Sequence, residues 1–247
     1  MPDAASAPFA ARLAPCGPVI DARAADRATA SVRQAAEKGG WDGTLLAANE
    51  ALGPVFAASP YLSGLARRAP SMLGRILTDD PEVRLAAVLS ATEKVGDEGL
   101  EAGKAQLRHL KAELHLLTAL ADLGAVWSLD QVTDALTRFA DASLTAALRL
   151  AARSEVEKGR LVAVEAGPAG PIPGLFCLAL GKHGALELNY SSDIDVSIFY
   201  EPSVLPVAEG VEPQVLYEPN GDGAEARIRE RLERWRSIRA SRAESRS

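Results

Sequence analysis

Between Asp80 and Leu148 the sequence sets out three runs of recurring apolar residues, two of them opened by a helix-start signal. Asp80-Pro81-Glu82 supplies a cap, a first-turn proline and a first-turn acid ahead of Val83, Ala86, Ala87 and Leu89, predicting a helix that ends near Gly96. Leu100, Leu107, Leu110, Leu114, Leu117, Leu120 and Leu123 mark a second helix that stops at Gly124. Ser128 and Gln131 then form a capping box before Val132, Leu136, Phe139, Leu144 and Leu148. A helix with an apolar stripe must bury it against a neighbour, so residues 26–160 are predicted to form a helical bundle. Aromatic residues make up only 5% of the chain, so leucine and alanine must fill that bundle and its helices should approach closely. The leucine stripe reads as core, not as a cofactor box. His109 and His115, six apart, fall on different sides of their helix, which argues against a shared metal site.

The flanks are different in kind. Residues 1–25 are rich in alanine and proline and hold no continuous apolar run of the sort a cleaved signal needs; they are expected to be a flexible tail. No stretch reaches the roughly 18 apolar residues of a membrane span, so the expected location is the cytoplasm. The net charge of -6 disfavours nucleic acid or an anionic membrane as partner. Cys16 and Cys177 are far apart and form no disulfide framework or zinc spacing; Cys177, inside an apolar run, is expected to be buried. The proline- and glycine-rich stretch from Gly159 to Pro173 reads as a connection. Beyond Gly223 the chain is arginine-rich, and Ile228, Leu232, Trp235 and Ile238 are spaced for a short amphipathic helix between Ala224 and Ala240. A basic helix of that sort is one pattern for contact with nucleic acid or acidic lipid, and a solvated end is the plainer one.

Chemistry is concentrated in residues 175–200. Leu175 to Leu180 is an apolar strand, Gly181-Lys182-His183-Gly184 a glycine loop, and Asp193 to Tyr200 a second strand opening on two acids. Residues two apart in a strand share a face, so Asp193 and Asp195 are predicted side by side, with Ile194, Val196 and Ile198 on the other face. Two adjacent carboxylates repel unless one holds a proton or a divalent cation binds both, and hard oxygen donors suit Mg2+. Glycine at 181 would let backbone approach phosphate oxygens, with Lys182 adding positive charge. His183 is open to two readings, a phosphate contact or a passive loop residue.

The run Gly181-Lys-His-Gly-Ala-Leu-Glu-Leu-Asn-Tyr-Ser-Ser-Asp-Ile-Asp195 closely resembles the signature of the glutamine synthetase adenylyltransferase and adenylyl-removing family, whose catalytic domains belong to the nucleotidyltransferase superfamily that includes DNA polymerase beta. Ser59-Pro-Tyr-Leu62, Leu65-Ala-Arg-Arg-Ala-Pro70, Leu107-Arg-His-Leu-Lys111, Ala119-Leu-Ala-Asp-Leu-Gly124 and Phe139-Ala-Asp-Ala-Ser-Leu144 resemble the family's helical regions, so the likeness spans roughly residues 45–212. It implies an α+β chain: a helical bundle (26–160), then a partial DNA polymerase beta-like nucleotidyltransferase core (161–214). Residues 215–247 look unlike the family. The resemblance further implies two catalytic domains in tandem in the full-length protein, the N-terminal one removing AMP from a tyrosine of glutamine synthetase with phosphate and the C-terminal one adding it from ATP. This chain is similar to the N-terminal one.

Carried over by position, Asp193 and Asp195 would bind the metal, and Gly181, Lys182 and Ser192 would contact the nucleotide. Lys182 stands where many superfamily members have serine. The family's third acid lies in an Arg-Val-Asp-Leu-Arg-Leu-Arg-Pro-like segment that this sequence lacks, and Glu201, Glu209, Glu212 and Glu218 are the available substitutes. The implied chain is therefore a fragment, with frameshift near Gln214 as one origin. The implied partners are glutamine synthetase, ATP or ADP, phosphate, and a PII-class signalling protein. The alternative to an enzyme is a non-catalytic helical module that binds glutamine synthetase or the PII-class protein.

Overall fold

The computed structural model describes residues 7–96, 99–163, 172–201 and 203–211, together with 230, 233 and 234. The elements in order are α1 (Phe9–Arg12), α2 (Ala22–Gly39), α3 (Asp42–Ala58), α4 (Pro60–Arg68), α5 (Pro70–Thr78), α6 (Pro81–Glu93), α7 (Leu100–Leu123), α8 (Leu129–Glu157), β1 (Leu175–Leu180), α9 (Gly181–Gly184) and β2 (Asp195–Tyr200). The chain is thus mostly helical with a small antiparallel sheet, an α+β composition. It divides into two units, Met1–Ala208 and Glu209–Ser247. Of the second unit, Glu209 and Gly210 form a turn and Glu230, Glu233 and Arg234 are helical; the rest of the expected amphipathic segment lies outside the described residues.

Local signals set the helix ends. The Asp80 carboxylate accepts from the Glu82 and Val83 amides at 3.0 and 3.1 Å, satisfying donors that α6 itself leaves open. At α8 both halves of the capping box form: Gln131 N donates to Ser128 Oγ at 3.3 Å, and Ser128 N donates to Gln131 Oε1 at 2.9 Å. α7 stops at Gly124, whose amide returns to the Leu120 carbonyl.

The helices pack chiefly as α2 on α3 and as a trio of α6, α7 and α8. Leucine and alanine dominate their core, with Leu114, Leu116, Leu117 and Leu120 almost wholly inaccessible. Each such leucine contributes about 1.5–3 kcal/mol by leaving water. Close approach has a visible cause at Gly103, where a Cβ would lie 2.5 Å from Leu150 Cδ2, so α7 and α8 meet through a glycine. One charge enters this core: Glu113, its side chain 3% exposed, lies 3.3 Å from Arg75 Nη2 and 2.9 Å from Arg84 Nε. The second contact is a charge approach whose angle does not make it a hydrogen bond, since both its atoms lack a hydrogen-bond partner.

The expectation of a flexible tail over 1–25 fails for its described part. Phe9 is fully buried in the main core, the Phe9 amide donates to the Asp79 carbonyl at 3.2 Å, and Arg12 bridges to Asp80 at 3.1 Å. Composition pointed to a tail because the stretch is rich in alanine and proline and has no continuous apolar run, yet one fully buried phenylalanine suffices to anchor a short helix. Among the described residues no helix is long and apolar enough to cross a membrane.

β1 and β2 pair antiparallel from Leu175 opposite Tyr200 to Leu180 opposite Asp195. Much of this hairpin's apolar surface stays open. Phe176, Leu178, Ile198 and Phe199 are each about half exposed, and Phe176 stacks on Phe199 with ring centroids 5.2 Å apart. Cys177, expected to be buried, is half-buried, because among the described residues the sheet has two strands and no covering layer over it.

Candidate functional site

The site is built where the hairpin's connection meets the bundle. β1 ends at Leu180, and the chain turns at Gly181 with φ +55°, a left-handed conformation that side-chain-bearing residues seldom adopt. A Cβ here would stand 2.8 Å from Asp195 Oδ2, so the glycine keeps open the corner beside that carboxylate. The expected glycine loop is a single four-residue helical turn, α9. β2 begins at Asp195, so strand alternation does not orient Asp193, which lies in the extended lead-in; that part of the expected same-face geometry is not set by the sheet. Both acids are exposed, and neither has a hydrogen bond or ion pair among the described residues.

The lead-in is held by three contacts to the helices. His183 is 2% exposed, and its Nε2 lies 2.8 Å from Asp141 Oδ1 on α8, so of its two readings the structure favours an inward-facing strut over an outward phosphate contact. Leu188 is buried in the main core. Tyr190 donates its hydroxyl to Asp122 Oδ2 at 3.2 Å, near the end of α7. Burial, and then the charge of and hydrogen bond to Asp122, push the Tyr190 phenol well above its ordinary pKa, so the proton stays on the tyrosine. Between these anchors Asn189 Oδ1 accepts from the Ser191 amide at 3.2 Å and the Ser192 hydroxyl at 2.7 Å, an Asx turn that sets Ser192 just before Asp193.

A cavity of about 480 Å3 opens between this segment and the helices. Leu107, Arg108, Lys111, Leu114 and His115 line it from α7, at positions that share one helical face. Leu136, Phe139, Ala140 and Ser143 line it from α8, and Leu188 to Tyr190 with Ser192 to Ile194 close it. His115 Nδ1 lies 3.0 Å from the Tyr61 hydroxyl; burial, and then nearby Lys111, hold its pKa below the ordinary histidine value.

Of the predicted residues, Ser192 and Asp193 line the cavity, while Gly181 and Asp195 abut each other at the hairpin mouth. Lys182 is exposed on α9. Among the described residues no group of three or more His, Cys, Asp or Glu is poised around one point. Glu201 follows β2 at the end of the hairpin opposite Asp195, about 20 Å along the strand, and accepts from Ser203 Oγ at 3.0 Å. Glu212 and Glu218 lie outside the described residues. Arg108, Lys111, Asp122, Asp141 and Ser143 were given no role from sequence, although all five lie in the helical segments that resemble the family; that placement, and the spacing of Arg108, Lys111 and His115 along α7, were the available signals.

Residues 49–221 match the family model described as glutamate-ammonia ligase adenylyltransferase, a match that runs past Gln214, where the likeness was expected to stop. A bifunctional glutamine synthetase adenylyltransferase/adenylyl-removing enzyme of Caulobacter vibrioides is 57% identical over 91% of this chain, which covers 24% of that relative. Proteins of the same description from Rhodopseudomonas palustris and Xanthobacter autotrophicus are 41% and 40% identical over 74% and 85% of the chain, covering 20% and 22% of their lengths. The chain thus spans about a quarter or less of the curated relatives it matches. No solved structure matches.

Proposed function

This chain belongs to the glutamate-ammonia ligase adenylyltransferase family, and from that membership we propose that residues 175–200 are part of a nucleotidyltransferase site that removes AMP from a tyrosine of glutamine synthetase, using phosphate and releasing ADP. The observation that carries this reading is the corner at Gly181. A left-handed glycine has a carboxylate, that of Asp195, where its side chain would be, and the segment that runs from it to Asp193 and Asp195 is pinned to the helices.

In this reading Asp193 and Asp195 hold Mg2+. Their residues fit the ion: both carboxylates are exposed and unpaired among the described residues, and magnesium is commonly held by one or two carboxylates plus substrate phosphate and water. When bound, the ion would neutralise charge on the transferring phosphate. Gly181 leaves backbone room at that phosphate, Lys182 adds a cation beside it, and Ser192, fixed by Asn189, presents its oxygen next to Asp193. The two strands would belong to a DNA polymerase beta-like core. Such a protein would work in the cytoplasm, with glutamine synthetase, ADP or ATP, and phosphate as its partners.

Calorimetry with Mg2+ or Mn2+ tests the metal role: binding is expected for the chain and lost in the Asp193→Asn, Asp195→Asn double variant. Equal binding by both proteins would refute it. Catalysis is tested with adenylylated glutamine synthetase, phosphate and Mg2+, following ADP. ADP release that is lost in Asp193→Asn would support the reading, and release unchanged in that variant would refute the role given to the acids.

A second reading draws on the contrast between a filled helical core and a hairpin with open faces. Here the bundle is a non-catalytic module that binds glutamine synthetase or a PII-class signalling protein. Binding of either by the double Asp variant, with metal absent, would support it.

A further inference from the structure

We propose that the cavity between α7, α8 and residues 188–194 is the subsite that holds a nucleoside monophosphate, its phosphate on Arg108 and Lys111 and its base on the apolar floor. The inference rests on the nucleotidyltransferase reading and assigns it residues outside the glycine loop and the acid pair. The cavity's size, about 480 Å3, is in the range of small-ligand sites, and its lining is mostly apolar with a few polar groups, as such sites usually are.

Its chemistry is divided. Leu114, Leu136 and Phe139 are buried and offer a floor that a flat, weakly polar base can cover. Arg108 and Lys111 stand one turn apart on the same face of α7, and neither makes an ion pair among the described residues, so their charges are available to an anion. His115 shares this lining, its Nδ1 3.0 Å from the Tyr61 hydroxyl. Two polar groups remain for the edge of a base or for a sugar hydroxyl. Ser143 Oγ is buried without a hydrogen-bond partner, a position whose cost a ligand would relieve. Asn189 spends its oxygen on Ser191 and Ser192, leaving its amide N-H groups as donors. Asp193 lies in the same lining as the two cations.

The test is equilibrium binding of AMP, adenosine and inorganic phosphate to the 247-residue chain, with and without Mg2+. The proteins compared are the unaltered chain, Arg108→Ala with Lys111→Ala, Ser143→Leu, and Asp195→Asn. The cation double variant changes exposed residues, and melting curves check that every variant folds. AMP should bind the unaltered chain without metal. The double variant should weaken AMP by about tenfold or more while changing adenosine little, and Ser143→Leu, which fills the cavity, should weaken both. AMP affinity within about twofold of the unaltered chain in both variants would overturn the assignment. If nucleotide binding needs Mg2+ and is lost only in Asp195→Asn, the cavity assignment falls and the nucleotidyltransferase reading stands. No binding of AMP under any condition would overturn the assignment and count against the wider reading as well.

Discussion

Leu114, Leu116 and Leu117 of α7 are at most 1% exposed, whereas Phe176, Leu178 and Leu180 of β1, in an equally apolar run, are each about half exposed. Burial is a property of what lies opposite. α7 has α6 and α8 against it, while among the described residues the hairpin's two strands have each other and the short turn α9 but no layer over their open faces. The lead-in to β2 belongs with the bundle in this respect, because Leu188 shares its core and His183 and Tyr190 are bonded to α8 and α7. The acid pair thus sits at the border between a region held by many contacts and one held by few.

Hydrogen exchange should show the largest effect. Amides of α7 and α8 are expected to exchange about a thousandfold more slowly than those of β1 and β2, since the hairpin opens without disturbing the core. Equal protection would mean that the two regions unfold as one. Core truncation sharpens the same contrast: Leu117→Ala should cost about 3 kcal/mol in denaturant unfolding, against less than about 0.5 kcal/mol for Ile198→Thr on the half-exposed strand face. Similar costs would show that the hairpin is better covered than its exposure indicates.

A smaller effect is expected where the regions join. Asp141→Ala removes the partner of buried His183 and should cost about 1–2 kcal/mol, with faster exchange confined to residues 181–190. Exchange unchanged in that segment would remove the strut from the account. The smallest effect concerns pH. Burial, and then nearby Lys111, hold the folded-state pKa of His115 below the ordinary histidine value of 6.5, so the unfolded chain takes up its proton first as pH falls. Its contribution to stability is therefore present above about pH 6.5 and declines as pH drops below it. Melting curves between pH 7.5 and 5.5 should show the decline, and His115→Gln should flatten it.

What sequence alone determined was local. The Asp80 and Ser128 caps and the stop at Gly124 each depend on groups within four residues, so periodicity and capping chemistry placed α6, α7 and α8 directly. The two strands were legible from their apolar runs, although the glycine loop is a helical turn and the second strand begins at Asp195, and the family signature marked Asp193 and Asp195 as the acids to examine. Contacts between distant residues were not legible. Asp141 and His183 are 42 positions apart and Asp122 and Tyr190 are 68 apart, and nothing in either residue's neighbourhood names its partner. Phe9 likewise sat in a stretch composed like a tail, and only the site waiting for it between other elements made it core. The cavity is the plainest case, since Arg108 and Lys111 are an ordinary charged face of a helix until residues 188–194 close over it. Short-range hydrogen bonding is written in adjacent residues; long-range packing depends on where the chain returns, and that is settled only when the elements meet.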